Sequence, residues 1–267
     1  MNSIIIDVER LVFLRLLMIL LLSGGPGALA VLASAGAVPD DETPVSYQLE
    51  QISGEAQYIQ KSFGARQIAL LEKLNRADRD HLPDLGMILI PDRWDLPEIA
   101  YSPLPTFYKP VREYQQIFLV HLPTQVFGAY EKGLLVRWGP ISSGQAEFLT
   151  ASGFFHLNWK ARSHQSTDDL DWQMPWYFNF QNERGLSFHT FALPGWPASH
   201  ACIRLLERDA KWLYDWGEEW ELDEKGWTVL DLGTAVLILG QYDFGSPPTW
   251  LSDGASRAIV LPLNLPR

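Results

Sequence analysis

Ser199-His200-Ala201-Cys202-Ile203-Arg204 carries the chain's one cysteine, and the reading of the rest turns on what that thiol does. A single thiol can form no internal disulfide and no multi-cysteine zinc site. Three features around it favour the ionised form. A helix is expected from about Leu205 to Trp220, which would put free N–H groups and the positive end of a helix dipole near Cys202. His200 and Arg204 supply cationic neighbours. Upstream, Leu186–His189 reads as a strand ending in Ser187-Phe188-His189-Thr190, and a loop folding back from it would bring an imidazole to the sulfur. A Cys–His pair performs acyl transfer: the imidazole removes the thiol proton, the thiolate attacks a carbonyl, and the imidazolium protonates the leaving amine. The same residues admit a second reading, in which Cys202 is a small buried hydrophobe.

Around this block the pattern is one of strands. Ile117–Val120 is a short apolar run, and Gln125–Tyr130 is joined to Leu134–Trp138 through Glu131-Lys132-Gly133, a hairpin signal. Gly153–Trp159, Trp176–Phe180 and Ala235–Leu239 are further strand candidates. Leu206, Ala210, Leu213, Trp216 and Trp220 repeat at helical spacing. Many strands with one main helix predict a mainly β domain.

Taken together, these marks resemble the catalytic domain of the L,D-transpeptidases, the YkuD-type cysteine enzymes of bacterial peptidoglycan. His189 matches the family's strand histidine, and residues 199–204 match its Ser/Thr-His-Gly-Cys block. Gln125, Ser142-Ser143-Gly144, Thr150–Phe155, Met174-Pro175-Trp176-Tyr177, Asp209 and Gly233-Thr234-Ala235-Val236 follow the family's lesser marks in order. The resemblance covers about residues 116–243 and implies a β-sandwich or half-barrel with one main helix after the cysteine. It implies Cys202 as nucleophile and His189 as general base. Ala201 and Ser199 would shape the oxyanion region, with Thr190 or a backbone carbonyl orienting the imidazole. His200 and Arg204 would contact substrate or hold the loop in place, and Trp176 and Trp196 would contact substrate with Trp172 as cleft walls, core packing being the other reading of all three tryptophans. The implied substrate is a stem tetrapeptide, acylated at its third residue with loss of D-alanine. The acceptor would be an amine of a second stem, water, or a lipoprotein lysine. Two departures stand out. The family's glycine before the cysteine is Ala201, strained by about 1–2 kcal/mol if φ is positive there, and the loop from His189 to Ser199 is shorter than in the family.

Upstream, residues 54–92 resemble the second half of a LysM peptidoglycan-binding repeat through Leu74-Asn75, Leu82, Leu85-Gly86 and Ile88–Pro91. Such a unit would be a small α+β module offering contact with glycan strands. A generic helix–strand packing unit fits the same residues, and Gly54-Glu55 is a weak stand-in for the missing first half. Residues 38–53 read as an acidic linker, 93–115 as a connector too rich in proline for regular sheet, and 244–267 as a tail. Leu11–Leu22 is apolar except for Arg15, and residues 16–38 carry no charge. That span is long enough to cross a hydrocarbon core of about 30 Å, although Gly24, Gly25, Pro26 and Gly27 interrupt it. Residues 1–37 are read as a cleaved signal with small residues at 33–37 or as a retained anchor; a buried helix is the remaining reading. Both main readings export the protein to the periplasm or envelope, with the membrane touched only through this segment.

Composition narrows the classes. The 267 residues carry 47% hydrophobic and 20% charged side chains, so neither wholesale disorder nor a multi-span membrane protein fits. Net charge is −11 and no basic run appears, which excludes an electrostatic nucleic-acid binder. His81, His121, His156 and His164 lack zinc-ligand spacing, and Asp168, Asp169 and Asp171 read as a solvated loop. No metal or cofactor is expected. A papain-type protease would need a Cys-Gly-x-Cys-Trp context that is missing. A non-catalytic peptidoglycan-binding relative remains the alternative to an enzyme.

Overall fold

The computed structural model describes residues 45–52, 57–166, 171–251 and 258–265. The signal or anchor reading of residues 1–37 therefore lies outside the described residues, as do Gly54-Glu55 and the Asp168–Asp169 pair. No helix of the described residues is long and apolar enough to cross a membrane.

The chain begins with β1 (Tyr47–Gln51), α1 (Tyr58–Ser62), α2 (Ala65–Asn75) and β2 (Met87–Pro91), with β1 antiparallel to β2. The linker expected over 38–53 is thus corrected for Tyr47–Gln51, while 38–44 and 53 lie outside the described residues. Tyr47–Gln51 is a strand because β2 needs a hydrogen-bonding partner, and the two ladders lie in register from Tyr47 opposite Pro91 to Gln51 opposite Met87. Arg76 ends α2 in a left-handed conformation at φ 60°. The stretch from Leu82 to Leu85 forms a 3₁₀ turn before β2.

The main sheet has nine strands among the described residues: β3 (Ile117–His121), β4 (Val126–Glu131), β5 (Leu134–Ser142), β6 (Gly153–His156), β7 (Lys160–Gln165), β8 (Gln173–Gln181), β9 (Leu186–Thr190), β10 (Ile203–Leu205) and β13 (Ala235–Leu239). Their spatial order is β6-β13-β3-β4-β5-β10-β9-β8-β7, curled as a half-barrel. A small hairpin of β11 (Glu221–Leu222) and β12 (Val229–Asp231) stands apart. The β4–β5 turn has Lys132 at φ 48° and Gly133 at φ 84°, the two positive values that a two-residue hairpin of this twist demands.

Apolar residues cover both faces of the central strands. On β3, Phe118 and Val120 join one core with Phe127, Ile141, Phe188, Ile203 and the helix residues Ala210 and Leu213. Ile117 and Leu119 point the other way, into a second core. That alternation is why β3 reads as an uninterrupted apolar run. The second core mixes strands with Leu70, Leu74 and Leu89 of the N-terminal unit and with Tyr101, Leu104 and Tyr108 of the connector. The carboxy-terminal residues pack back too: Tyr108 donates to Pro262 O at 2.5 Å, and Ile259 N to Pro103 O at 2.7 Å.

The helix after the cysteine, α3, runs Glu207–Trp216 rather than 205–220. Ile203–Leu205 is taken by β10, and Gly217 closes the helix with its N–H on Leu213 O at 2.8 Å. Asp209, fully buried, accepts from Arg137 Nε at 2.8 Å and Nη2 at 2.6 Å, which pins α3 to β5. Strand β7 escaped the sequence reading because Lys160–Gln165 is an edge strand with a polar sequence and no apolar alternation.

Since Leu74 lies in a core shared with β3 and β13, Leu74→Ala should destabilise the whole described fold by about 2–5 kcal/mol. Thermal unfolding should keep one transition, shifted downward. A second transition confined to the N-terminal unit would contradict the shared core.

Candidate active site

The site is assembled at the junction of β9 and β10. These strands run parallel, with Ile203 opposite Phe188 and Arg204 opposite His189. One step earlier, Cys202 therefore stands opposite Ser187, and its Sγ lies 3.4 Å from Ser187 Oγ and 3.8 Å from Gly185 O. Ser187 and His189 are two residues apart on one strand, so they share a face. Cys202, His189, Arg204 and Ser199 line a common pocket with Trp172, Met174, Phe191, His200 and Ser166.

The turn that presents Cys202 is held by backbone and hydroxyl groups. Ser199 N donates to Ser143 O at 3.0 Å, and Gln145 N donates to Ser199 O at 2.9 Å. Gly144 N donates to Thr150 Oγ1, and Thr150 Oγ1 donates to Ala201 O, both at 2.9 Å. A Cβ on Gly144 would fall 1.9 Å from Phe148 O and 3.0 Å from Ala201 Cα, so only glycine permits this approach. Gln125, fully buried, donates from Nε2 to Ser143 Oγ at 2.9 Å and accepts from Ser143 N at 2.9 Å. Ser142 Oγ donates to Trp196 O at 2.8 Å and accepts from Ala198 N at 3.1 Å. The lesser sequence marks at Gln125, Ser142–Gly144 and Thr150 thus form the brace under the cysteine turn.

Ala201 adopts φ 73°, the left-handed region expected if it replaces a glycine. The expectation that Cys202 sits at a helix start is corrected. β10 intervenes, and α3 begins five residues later, after a Leu206 N-cap. The helix dipole acts within its first turn and does not reach the sulfur.

His189 is 5% exposed. Burial pushes its imidazole down to about 4, with the Arg204 charge acting the same way and the Thr190 carbonyl opposing. The ring is therefore neutral at pH 7. Its Nδ1 is 3.0 Å from Thr190 O, an acceptor only, so Nδ1 carries the proton and Nε2 keeps its lone pair. The Thr190 side chain does not orient the imidazole; its Oγ1 is buried without a hydrogen-bond partner among the described residues. The backbone carbonyl does that work. Arg204 is buried, donates from Nη1 to Ala192 O at 3.3 Å and lies 4.6 Å over the Phe191 ring. Burial lowers its pKa while the Cys202 charge raises it, and no carboxylate pairs with it among the described residues. The pocket thus offers an acidic ligand a partly desolvated cation.

The expected aromatic contacts divide. His200 lines the pocket between Phe148 at 4.5 Å and Trp172 at 5.2 Å. Trp176 does not line it. With φ 55°, its ring packs on Tyr214 and beneath Arg162 and Lys211, on the α3 side of the sheet. Trp196 is half exposed and contributes its carbonyl, not its ring, to the brace. Ser187 and Phe191 were given no role from sequence, and Met174 was read only as part of a family mark. The i, i+2 spacing of Ser187 from His189 was the one available signal. Beyond Phe191 a groove of about 600 Å³ opens, walled by Asp78, Arg79, Asp80 and His81 on one side and Thr190, Ala192 and Glu207 on the other. No group of His, Cys, Asp and Glu suited to a metal occurs among the described residues.

Two outcomes follow from this geometry. Because His189 is held near 4 and an exposed imidazole titrates near 6.5, the unfolded chain binds the extra proton between those values. The resulting stabilisation is complete above pH 6.5 and is lost as pH falls from 6.5 to 4, about 3 kcal/mol from this residue. His121, also pushed down to about 4 by burial, adds to the same window. Urea unfolding from pH 7 to 4 should show that loss, and His189→Gln should reduce it while the His121 share remains; an unchanged slope would contradict the buried neutral ring. Ala201→Gly should raise the urea-derived stability by about 0.5–1 kcal/mol by relieving positive φ, and a loss of stability would contradict the strain.

The family model for the YkuD L,D-transpeptidase catalytic domain matches residues 115–238. No curated protein matches the chain. Among solved structures, an L,D-transpeptidase from Stackebrandtia nassauensis is 25% identical over 57% of this chain and 65% of its own, at TM-score 0.42. One from Xylanimonas cellulosilytica is 24% identical over 66% of this chain and 81% of its own, at TM-score 0.43. One from Mycobacterium smegmatis is 17% identical over 47% and 59%, at TM-score 0.38. The chain thus spans less than two thirds of the first and third of these. Residues 115–238 thus match the YkuD-type L,D-transpeptidase catalytic domain, and His189 lines one pocket with Ser199, His200, Cys202 and Arg204 of the block shared with that family.

Proposed function

We propose that this protein is a cysteine-dependent L,D-transpeptidase acting on peptidoglycan stem tetrapeptides at the cell envelope, exported through residues 1–37. The observation that carries the reading is a neutral His189, oriented through Nδ1, lining one pocket with Cys202 and the buried Arg204. Nε2 of His189 takes the thiol proton, and the thiolate attacks the carbonyl of the third stem residue. In this reading the N–H groups of Ala201 and Cys202 hold the oxyanion that forms. Collapse of the tetrahedral intermediate breaks the peptide bond. The imidazolium returns its proton to the departing amine of D-alanine, leaving a thioester on Cys202. In the second half, the amine of a neighbouring stem attacks that thioester and gives up a proton to His189, forming the cross-link and freeing the thiol. Water in place of the amine would give L,D-carboxypeptidase action. Arg204 holds a stem carboxylate while its Nη1 stays on Ala192 O, and Trp172 and His200 wall the cleft.

A carbapenem is a strained acyl donor that presents a carboxylate to such a pocket. Intact-mass spectrometry should find a covalent adduct on the wild type and none on Cys202→Ala. His189→Gln should slow acylation by about 10²-fold or more. An unmodified wild type would favour the non-catalytic binding alternative.

A further inference from the structure

The loop from Thr190 to Ser199, which joins the His189 strand to the cysteine turn, is held from outside the catalytic domain. Asp78, in the turn after α2, is the point of attachment. Its N–H donates to Leu193 O at 2.9 Å, and its Oδ2 accepts from Leu193 N at 2.7 Å. Ala77 forms an antiparallel bridge with Pro194. Gly195, at φ 102°, lies so near the N-terminal unit that a Cβ there would sit 2.6 Å from Leu85 Cδ2. Leu193 and Ala77 are fully buried. The other carboxylate oxygen, Oδ1, accepts from Asp80 N and His81 N, each at 3.1 Å, and lies 2.7 Å from His81 Nδ1. A second anchor lies beyond β10, where Arg208 donates to Glu72 at 2.5 Å and to Ala69 O at 3.0 Å. The N-terminal unit therefore grips the catalytic segment on both sides of Cys202.

One residue before Leu193, the Ala192 carbonyl accepts from Arg204 Nη1, and one residue earlier the Phe191 ring lies under the same guanidinium. The loop that Asp78 fixes thus supplies both contacts of the pocket's cation. We propose that Asp78 is a positioning residue: through Leu193 and Ala192 it sets Arg204 in the pocket. The N-terminal unit then tunes the catalytic centre as well as packing beside it. This inference rests on the transpeptidase reading only for its kinetic consequence.

Asp78→Asn separates the two jobs of the carboxylate. An amide keeps one acceptor oxygen, and its nitrogen cannot accept, so it cannot serve both the 80–81 turn and Leu193 N. The variant is nearly isosteric and should fold, with Asp78→Glu as the charge-retaining comparison. Hydrogen exchange on the full chain should show faster exchange of peptides covering 191–196 in Asp78→Asn, with β3 and β13 unchanged. Carbapenem acylation of Cys202 should fall about tenfold. In an Arg204→Lys background, Asp78→Asn should cost little more, because both changes disturb one contact. Unchanged exchange at 191–196 would overturn the clamp whether or not the protein is an enzyme. Losses that multiply in the double variant would overturn the route through Arg204. A wild type that is not acylated, with exchange still altered in Asp78→Asn, would leave the clamp standing and remove the transpeptidase reading.

Discussion

The site depends on a short parallel ladder. A strand, a loop and a second parallel strand must return the chain in register so that Arg204 faces His189 and Cys202 faces Ser187. Parallel neighbours cannot be joined by a tight hairpin, so the loop between Thr190 and Ile203 has to cross over and be held while it does. β10 has only three residues, and its ladder alone offers few hydrogen bonds. The buried polar groups under it, Gln125, Ser143 and Thr150, supply the remaining bonds, each satisfied at about 2.9 Å. A buried polar brace of this kind works only when every member is paired.

The electrostatics follow from the same placement. Taking His189 out of water makes it neutral, and the Thr190 carbonyl fixes which nitrogen carries the proton. Arg204, buried beside it, opposes a second positive charge on the ring and welcomes a negative one in the pocket. The Ala201 position sits in the left-handed region, so the chain tolerates backbone strain beside Cys202.

Much of this was legible in the sequence because the relevant spacings are local. His189 at a strand end, the 199–204 block and the Lys132-Gly133 turn each announce themselves through neighbouring residues. Long-range consequences were not legible. Ile203-Arg204-Leu205 read as the entry to a helix because three residues cannot display a strand period. Trp176 looked like a cleft wall by residue type, but its ring packs against Tyr214 instead. Thr190 was placed correctly beside the imidazole, yet its carbonyl rather than its hydroxyl makes the contact. The strand Tyr47–Gln51 was hidden in an acidic, polar segment, since its pairing with β2 depends on residues about forty positions away. Nothing in the local sequence could have shown that Asp78 reaches Leu193, 115 residues on.

The most direct test of the account is the product formed from isolated peptidoglycan. Purified protein should release D-alanine from tetrapeptide stems and leave either a cross-link between third-position residues or a trimmed tripeptide, with both signals missing for Cys202→Ala. A muropeptide profile identical for wild type, Cys202→Ala and buffer would contradict the central claim that this thiol and the neutral imidazole work as a pair.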